Sequence, residues 1–474
     1  FSYFKYNIKF SYKKLLQREN IKKLFKKDIL IKNHDLNKTK QGQSLWKKAK
    51  TIIPGGNMIL SKNPERFLPD YWPTYFKKAK GCKIVDLDGN EYLDFSLMGV
   101  GTNVLGYANK YIDNQVKKTI FQGNMSTLNS KEEVLLAEKL IEIHPWFNKV
   151  KFARTGGEAN AIAIRIARAA SGKDNVAFCG YHGWHDWYLS SNLSSKKTKN
   201  LDQHLLKGLE IDGVPQKLNK TSFPFEYGNK DQLSSLINQR KIGVIKMEVC
   251  RNTKPDLDFL NFVQKIAKKK GIVLIFDECT TGFRETRGGL HTSINIKPDI
   301  SIFGKALGNG YAITAIVGKS EVMESANKSF ISSTFWSERI GFTAALKTIE
   351  IMEKNKTWKT IRQIGKKIQE QWKKIADDNK VNMDINGIYS LSSFKFNSNM
   401  HQEYKTLITQ EMLKSNILAS NIVYPSVSHT EKLTSIYFEK LNEIFKIIKK
   451  CDEGSEIRKY LKSRTSLKDF KRLN

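Results

Sequence analysis

The sequence predicts an α/β protein with a large, mainly parallel sheet and a second, smaller domain. Three observations carry that expectation. Short continuous apolar runs at residues 244–249, 271–276 and 299–303 are rich in β-branched residues and bounded by Gly or charge. Such runs suit strands buried on both faces, as in parallel sheets. An amphipathic helical pattern at 256–270 separates the first two runs, and strand–helix alternation of this kind builds parallel α/β sheets. The 474 residues suffice for one large and one smaller domain with a substantial core.

Two of the runs end in charge. Residues 271–276 lead into Asp277-Glu278, and residues 299–303 lead through Gly304 into Lys305. Open α/β sheets place ligands at the carboxyl ends of their strands. A carboxylate and a lysine delivered to one sheet edge suit a pyridoxal phosphate site. The lysine amine can form a Schiff base with the aldehyde. The carboxylate can keep the pyridinium nitrogen protonated, so that the ring withdraws electrons. A strand-end ion pair with no chemistry would give the same pattern.

The octapeptide Asp277-Glu278-Cys279-Thr280-Thr281-Gly282-Phe283-Arg284, followed by Phe303-Gly304-Lys305-Ala306-Leu307-Gly308-Asn309-Gly310, resembles the class III aminotransferases. Within that family it is most similar to the glutamate-1-semialdehyde aminomutase branch. The resemblance runs from about Gln41 to the mid-400s. It implies fold-type I: a large doubly wound domain, a small α+β domain made from both chain ends, and a homodimer with shared active sites. It implies a basic extension at 1–40, part of the small domain at 41–110, the cofactor domain at 111–335, and a bridging helix with the rest of the small domain at 336–474. It also implies pyridoxal 5'-phosphate as cofactor and a small-molecule amino donor and carbonyl acceptor as partners. Lys305 is then the Schiff-base lysine and Asp277 the partner of the ring nitrogen.

Taken in order, the first 40 residues are lysine-rich and nearly free of acids, which suits a solvated, partly helical extension. Residues 41–50 read as a helix stopped by Pro54-Gly55-Gly56. The resemblance places substrate contacts just beyond, where the aminomutase pattern has a serine and an arginine. Ile59 and Lys62 occupy those slots here. A lysine does not hold a carboxylate bidentately as an arginine fork does, so an aminotransferase reaction is expected ahead of the aminomutase one. Residues 83–95 read as a hairpin around Asp88-Gly89. The glycines at 99, 101 and 106 have the wrong spacing for a dinucleotide fingerprint. Residues 132–143 read as a packing helix, with Val134, Leu135, Leu140 and Ile141 at helical spacing.

Gly156-Gly157 opens a long helical stretch, and free N–H groups there make a seat for a phosphate. The resemblance puts Gly157 where the family has a threonine. A short strand at 175–179 empties into Gly180-Tyr181-His182-Gly183-Trp184-His185. Tyr181 fits the aromatic that stacks on the ring in the family, and His182 falls with it in the cofactor site. His182 and His185 lack a third ligand for a metal. Residues 194–220 read as a surface excursion. The family has a glutamate beside the cofactor at the end of the 244–249 strand, which is Glu248 here. Gly318-Lys319-Ser320 lacks the earlier glycine of a phosphate-binding loop. Thr334 is the candidate for a threonine that reaches across the dimer to the cofactor phosphate. Residues 338–354 read as a long helix, and 457–474 as a basic tail.

The formal net charge is +33. The lysines are spread along the whole chain, so no nucleic-acid partner is expected. No apolar run is long enough to span a bilayer, so no membrane partner is expected. The five scattered cysteines contain no CxxC pair, which suits a reducing, cytoplasmic setting. A non-catalytic basic module is the contrasting reading, and the Asp277, Lys305 and Tyr181 set stands against it.

Overall fold

The computed structural model describes residues 35–194, 209–250 and 253–468. Nearly all of the basic extension, most of the excursion at 194–220 and the end of the basic tail lie outside the described residues. The expected helix at 41–50 spans Lys40–Ile52.

Among the described residues fourteen strands form three sheets. The strands β1 (Phe76–Lys80), β2 (Lys83–Asp86) and β3 (Glu91–Phe95) are followed by β4 (Lys149–Ala153), β5 (Asn175–Cys179), β6 (Ser222–Pro224) and β7 (Ile242–Glu248). Then come β8 (Val273–Asp277), β9 (Ile300–Phe303), β10 (Thr314–Gly318), β11 (Met383–Asn386), β12 (Ser392–Phe396), β13 (Ile417–Ala419) and β14 (Ile422–Val423). The large sheet has the order β4-β10-β9-β8-β7-β5-β6. Its neighbours pair in parallel except where β10 runs antiparallel to both β4 and β9. Every residue of β7, β8 and β9 is buried, as their largely apolar character demands, Lys246, Glu248 and Asp277 included.

Helices cover both faces of this sheet. The four used below are α1 (Lys131–Ile143), α2 (Gly156–Ser171), α3 (Leu257–Lys270) and α4 (Arg339–Asn355). On one face Ala159, Ala163 and Ile166 of α2 pack with Val244, Ile275 and Ile302. On the other, Phe259, Leu260 and Val263 of α3 pack with Ile245, Met247, Leu274 and Phe276. Alternate residues of β7 and β8 thus serve opposite cores. From Val244 onward the even positions of β7, and the odd positions of β8, share the α2 side, and Glu248 and Asp277 fall in these two sets.

The β2–β3 hairpin forms as expected, with Gly89 at φ 87° in its turn. The sheet it belongs to has the order β1-β2-β3-β13, so a strand from each end of the chain meets in one sheet. Here β13 pairs in parallel with β3. The third sheet, β11-β12-β14, comes from the C-terminal part. Leu93 and Phe95 share a core with Trp372, Leu407 and Phe445.

One helical face differs from the sequence expectation. In α1 the buried residues are Leu136, Leu140 and Ile143. Val134 and Leu135 are 59% and 44% exposed. The i, i+4, i+7 set is the buried one, with Ala137 packed beside it.

Candidate active site

Strands β5, β7, β8 and β9 are parallel neighbours, so their carboxyl ends open on one edge. The register sets Glu248 beside Asp277 and Asp277 beside Ile302. The residues that leave β5 are Gly180, Tyr181 and His182, and the residue two beyond β9 is Lys305. β4 also ends on this edge, because it is separated from β9 by the antiparallel β10. Its continuation is the start of α2.

Asp277 is 4% exposed and sits in a ring of cations and donors. Its Oδ2 lies 2.9 Å from His182 Nδ1, and its Oδ1 accepts the Cys279 N–H at 3.1 Å. Lys246 Nζ stands 4.0 Å from the same Oδ2. Burial alone would raise the Asp277 carboxyl, but the Lys246 charge and the His182 contact outweigh it and hold it well below the usual carboxylate range. His182 is fully buried, and its Nε2 faces the Cys179 carbonyl at 3.1 Å. Both ring nitrogens meet acceptors, so both contacts are hydrogen bonds only in the imidazolium form. Burial, then the Lys246 charge, push His182 the other way, below its ordinary value. His182, expected in the cofactor site, is thus enclosed between Asp277 and the Cys179 carbonyl.

Lys305 begins a short 3-10 helix, Lys305–Gly308, with φ 43°. A non-glycine residue in this left-handed region carries strain, which concentrates at functional sites. Its Nζ donates to Thr280 Oγ1 at 2.7 Å. Thr280 is three residues beyond Asp277. Cys279 feels both charges: burial raises its thiol first, Asp277 raises it further, and Lys305 lowers it. The carboxylate and the amine thus share one site.

Helix α2 starts on a capping box. Thr155 Oγ1 accepts the Glu158 N–H, and Glu158 Oε2 accepts the Thr155 N–H at 2.8 Å. No acceptor among the described residues meets the N–H groups of Gly156 and Gly157. A Cβ built on Gly157 would stand 2.9 Å from His185 Cε1 and 3.0 Å from its Nδ1. The imidazole of His185 fills the place a side chain at 157 would need.

Glu248 is 6% exposed, and its Oε2 accepts the Tyr181 N–H at 3.1 Å. Tyr181 is half-buried and meets Tyr188 edge to face at 6.0 Å between centroids. The turn between β5 and Tyr181 depends on Gly180, at φ 107°, where a Cβ would lie 2.5 Å from Glu248 Oε2. Gly180→Ala is therefore expected to destabilise the fold by about 1–3 kcal/mol and to release Tyr181. Urea unfolding of the two proteins checks it; equal midpoints would contradict the clash.

Thr334 is exposed, and its carbonyl accepts from Ser337 Oγ at 2.9 Å. The chain's own fold does not bring its side chain into this site. Its segment is nonetheless fastened beside α2, because Arg154 donates to the carbonyls of Trp336 and Glu338 at 2.9 and 2.8 Å. Sequence reasoning missed Lys246 and Thr280. The signal for Lys246 was present: a lysine inside an otherwise apolar run.

The site fits pyridoxal phosphate on its own geometry. It offers a buried carboxylate kept ionised, an amine on the adjoining strand end, and free N–H groups opening a helix of 16 residues. This fold and site define the fold-type I pyridoxal-phosphate-dependent enzymes. The chain belongs to the class III aminotransferases, whose family model matches residues 69–451. It is 32% identical over 431 residues to the 3-aminobutyryl-CoA aminotransferase of Cloacimonas acidaminovorans, covering 87% of this chain and 98% of that one. It is 33% identical over 389 residues to the glutamate-1-semialdehyde 2,1-aminomutase of Methanosphaera stadtmanae, covering 79% and 87%. Among solved structures, the FumI protein of Sphingopyxis sp. MTA144 shares its fold with a TM-score of 0.78 at 22% identity, covering 88% and 98%. An omega-transaminase from Sphaerobacter thermophilus does so at 0.75 and 21%, covering 85% and 97%. The chain is an enzyme of pyridoxal-phosphate-dependent amino transfer. No helix among the described residues is long and apolar enough to cross a membrane.

Proposed function

We propose that Lys305 is the catalytic amine and Asp277 the partner of the ring nitrogen in an aminotransferase acting on a small polar carbonyl compound. The observation that carries this reading is the convergence of Asp277 and Lys305 on adjacent residues of one turn, Asp277 accepting from Cys279 and Lys305 donating to Thr280. Bound pyridoxal phosphate supplies an aldehyde that captures amines and a ring that withdraws electrons. Lys305 would supply the amine for that aldehyde, and its Nζ, when free, would take and return a proton. Thr280 orients this amine. Asp277, steadied by His182, holds the proton of the ring nitrogen. Tyr181 holds the ring by stacking, with Glu248 fixing its backbone. The N–H groups of Gly156 and Gly157 hold the phosphate.

Two-molecule transfer is favoured over the intramolecular reaction by the segment after Gly56. Met58 and Ile59 are 84% and 41% exposed, and Lys62 stands in the short helix Leu60–Lys62. No arginine stands among residues 57–62 to hold a substrate carboxylate bidentately. The name of the Cloacimonas relative, an aminotransferase of a 3-aminoacyl thioester, supports the same choice. The names of the aminomutase relatives support the alternative. An isotope experiment separates them. With a panel of 15N-labelled amino donors and unlabelled carbonyl acceptors, the label is expected in the acceptor, and only when both are present. Conversion of glutamate-1-semialdehyde with no second substrate would instead establish the aminomutase.

The reading includes a homodimer in which Thr334 contributes to the partner's site. Exposed apolar residues support it, among them Phe121 at 80%, Leu128 at 81% and Phe335 at 67%. Five free, buried cysteines support a reducing compartment, the cytoplasm.

A further inference from the structure

Lys246 occupies an unusual place. It sits mid-strand in β7, with 0% of its surface exposed. Its Nζ has no hydrogen-bond partner among the described residues. A buried ammonium is retained only against opposite charge. Burial pushes Lys246 below its ordinary value, and the groups that pull it back up are Asp277, at 4.0 Å, then Cys279 and Glu248, while His182 Nδ1 meets the same Asp277 oxygen at 2.9 Å. Glu248 is already engaged by the Tyr181 N–H. Asp277 is therefore the principal counter-ion of Lys246.

Asp277 is also the carboxylate assigned above to the cofactor's ring nitrogen, and the inference rests on that assignment. We propose that Lys246 is a positioning residue that competes with the bound ring for the charge of Asp277. It makes the ring nitrogen a weaker base than an aspartate–histidine pair alone would make it. Two carboxylates, Asp277 and Glu248, serve three cationic candidates: Lys246, the His182 imidazole and the ring N–H. With Lys246 holding one charge, a single negative charge remains for the imidazole and the ring together. The site is then tuned toward a moderate electron sink, which suits a reaction that must return its proton faithfully.

The test reads the ring nitrogen directly. Holoenzyme is prepared with pyridoxal phosphate labelled with 15N in the ring, and the nitrogen shift is followed against pH in wild type, Lys246→Met, Lys246→Gln and Asp277→Asn. Removing the Lys246 charge is expected to raise the pH at which the nitrogen loses its proton by about one unit or more, a tenfold gain in proton affinity. Asp277→Asn is expected to lower it. A residue that merely fills space would change stability and leave the nitrogen's titration where it was. If the Lys246 variants titrate like wild type while Asp277→Asn shifts, the inference fails and the role of Asp277 stands. If none of them shifts, the assignment of Asp277 itself fails. Should neither Lys246 variant fold, wild type decides. A ring nitrogen that stays protonated wherever the holoenzyme is stable overturns the inference, and one that titrates within that range supports it.

Discussion

Lys305→Ala is expected to lower turnover by more than about 10⁴-fold, the upper end of what one positioned proton-transfer group supplies. It is also expected to remove the visible absorbance of covalently held cofactor. Two functions are lost together, because the same amine meets the aldehyde and carries the proton. The fold should survive. The hydrogen bond that Lys305 gives up to Thr280 is worth about 1 kcal/mol. Its left-handed backbone at φ 43° is as tolerable for alanine as for lysine. A far-ultraviolet circular dichroism spectrum like that of wild type, with no turnover, is the predicted pair of results. Retained turnover in a correctly folded variant would sink the assignment.

Asp277→Asn combines a catalytic and a structural loss. Turnover is expected to fall about 10²–10³-fold, the usual cost of removing one preorganised electrostatic partner. The apoprotein is expected to lose about 3–5 kcal/mol, because the buried Lys246 loses its counter-charge. Adding Lys246→Met should restore most of that stability and none of the turnover, a coupling a double-mutant cycle measures. The pH dependence has a definite sign. The Asp277 carboxyl is held below its ordinary value in the folded state, so its contribution is complete above the unfolded value of about 3.9. It is lost as pH falls through the folded value. The stability gap between wild type and Asp277→Asn should therefore be constant at neutral pH and close only in strong acid. A gap that closes near neutrality would implicate another group.

The proposed catalytic pair was legible because both residues interrupt a rule. Strands buried on both faces should end quietly, and these end in Asp277 and, just past Gly304, Lys305. The turn at Gly156-Gly157 and the hairpin at Gly89 were legible from backbone needs alone. Other features were not. The antiparallel direction of β10 leaves no mark on its residues, which are as apolar as those of β9. The helical phase of α1 was misjudged because Val134 and Leu135 sit beside the stripe that packs. Lys246 was hidden by the run around it, since a single charge weighs little in an apolar average. Nor did the sequence say that His182 is enclosed between Asp277 and the Cys179 carbonyl. That depends on how β5 and β8 lie across β7.

The sheet that joins both ends of the chain has a bearing on how the enzyme is made. By the time Lys305 leaves the ribosome, every residue assigned a role in Asp277's surroundings has been synthesised. Yet β3 still lacks β13, and Leu93 N–H still lacks the Asn416 carbonyl it meets at 2.8 Å. Arg284, shortly after β8, donates to the carbonyls of Thr280 and Gly101 and lies over the Tyr424 ring. A nascent chain halted before residue 417 thus holds the chemistry on a half-built frame, with one strand edge bare and open to the wrong neighbour. The last third of the polypeptide is what makes the earlier part usable.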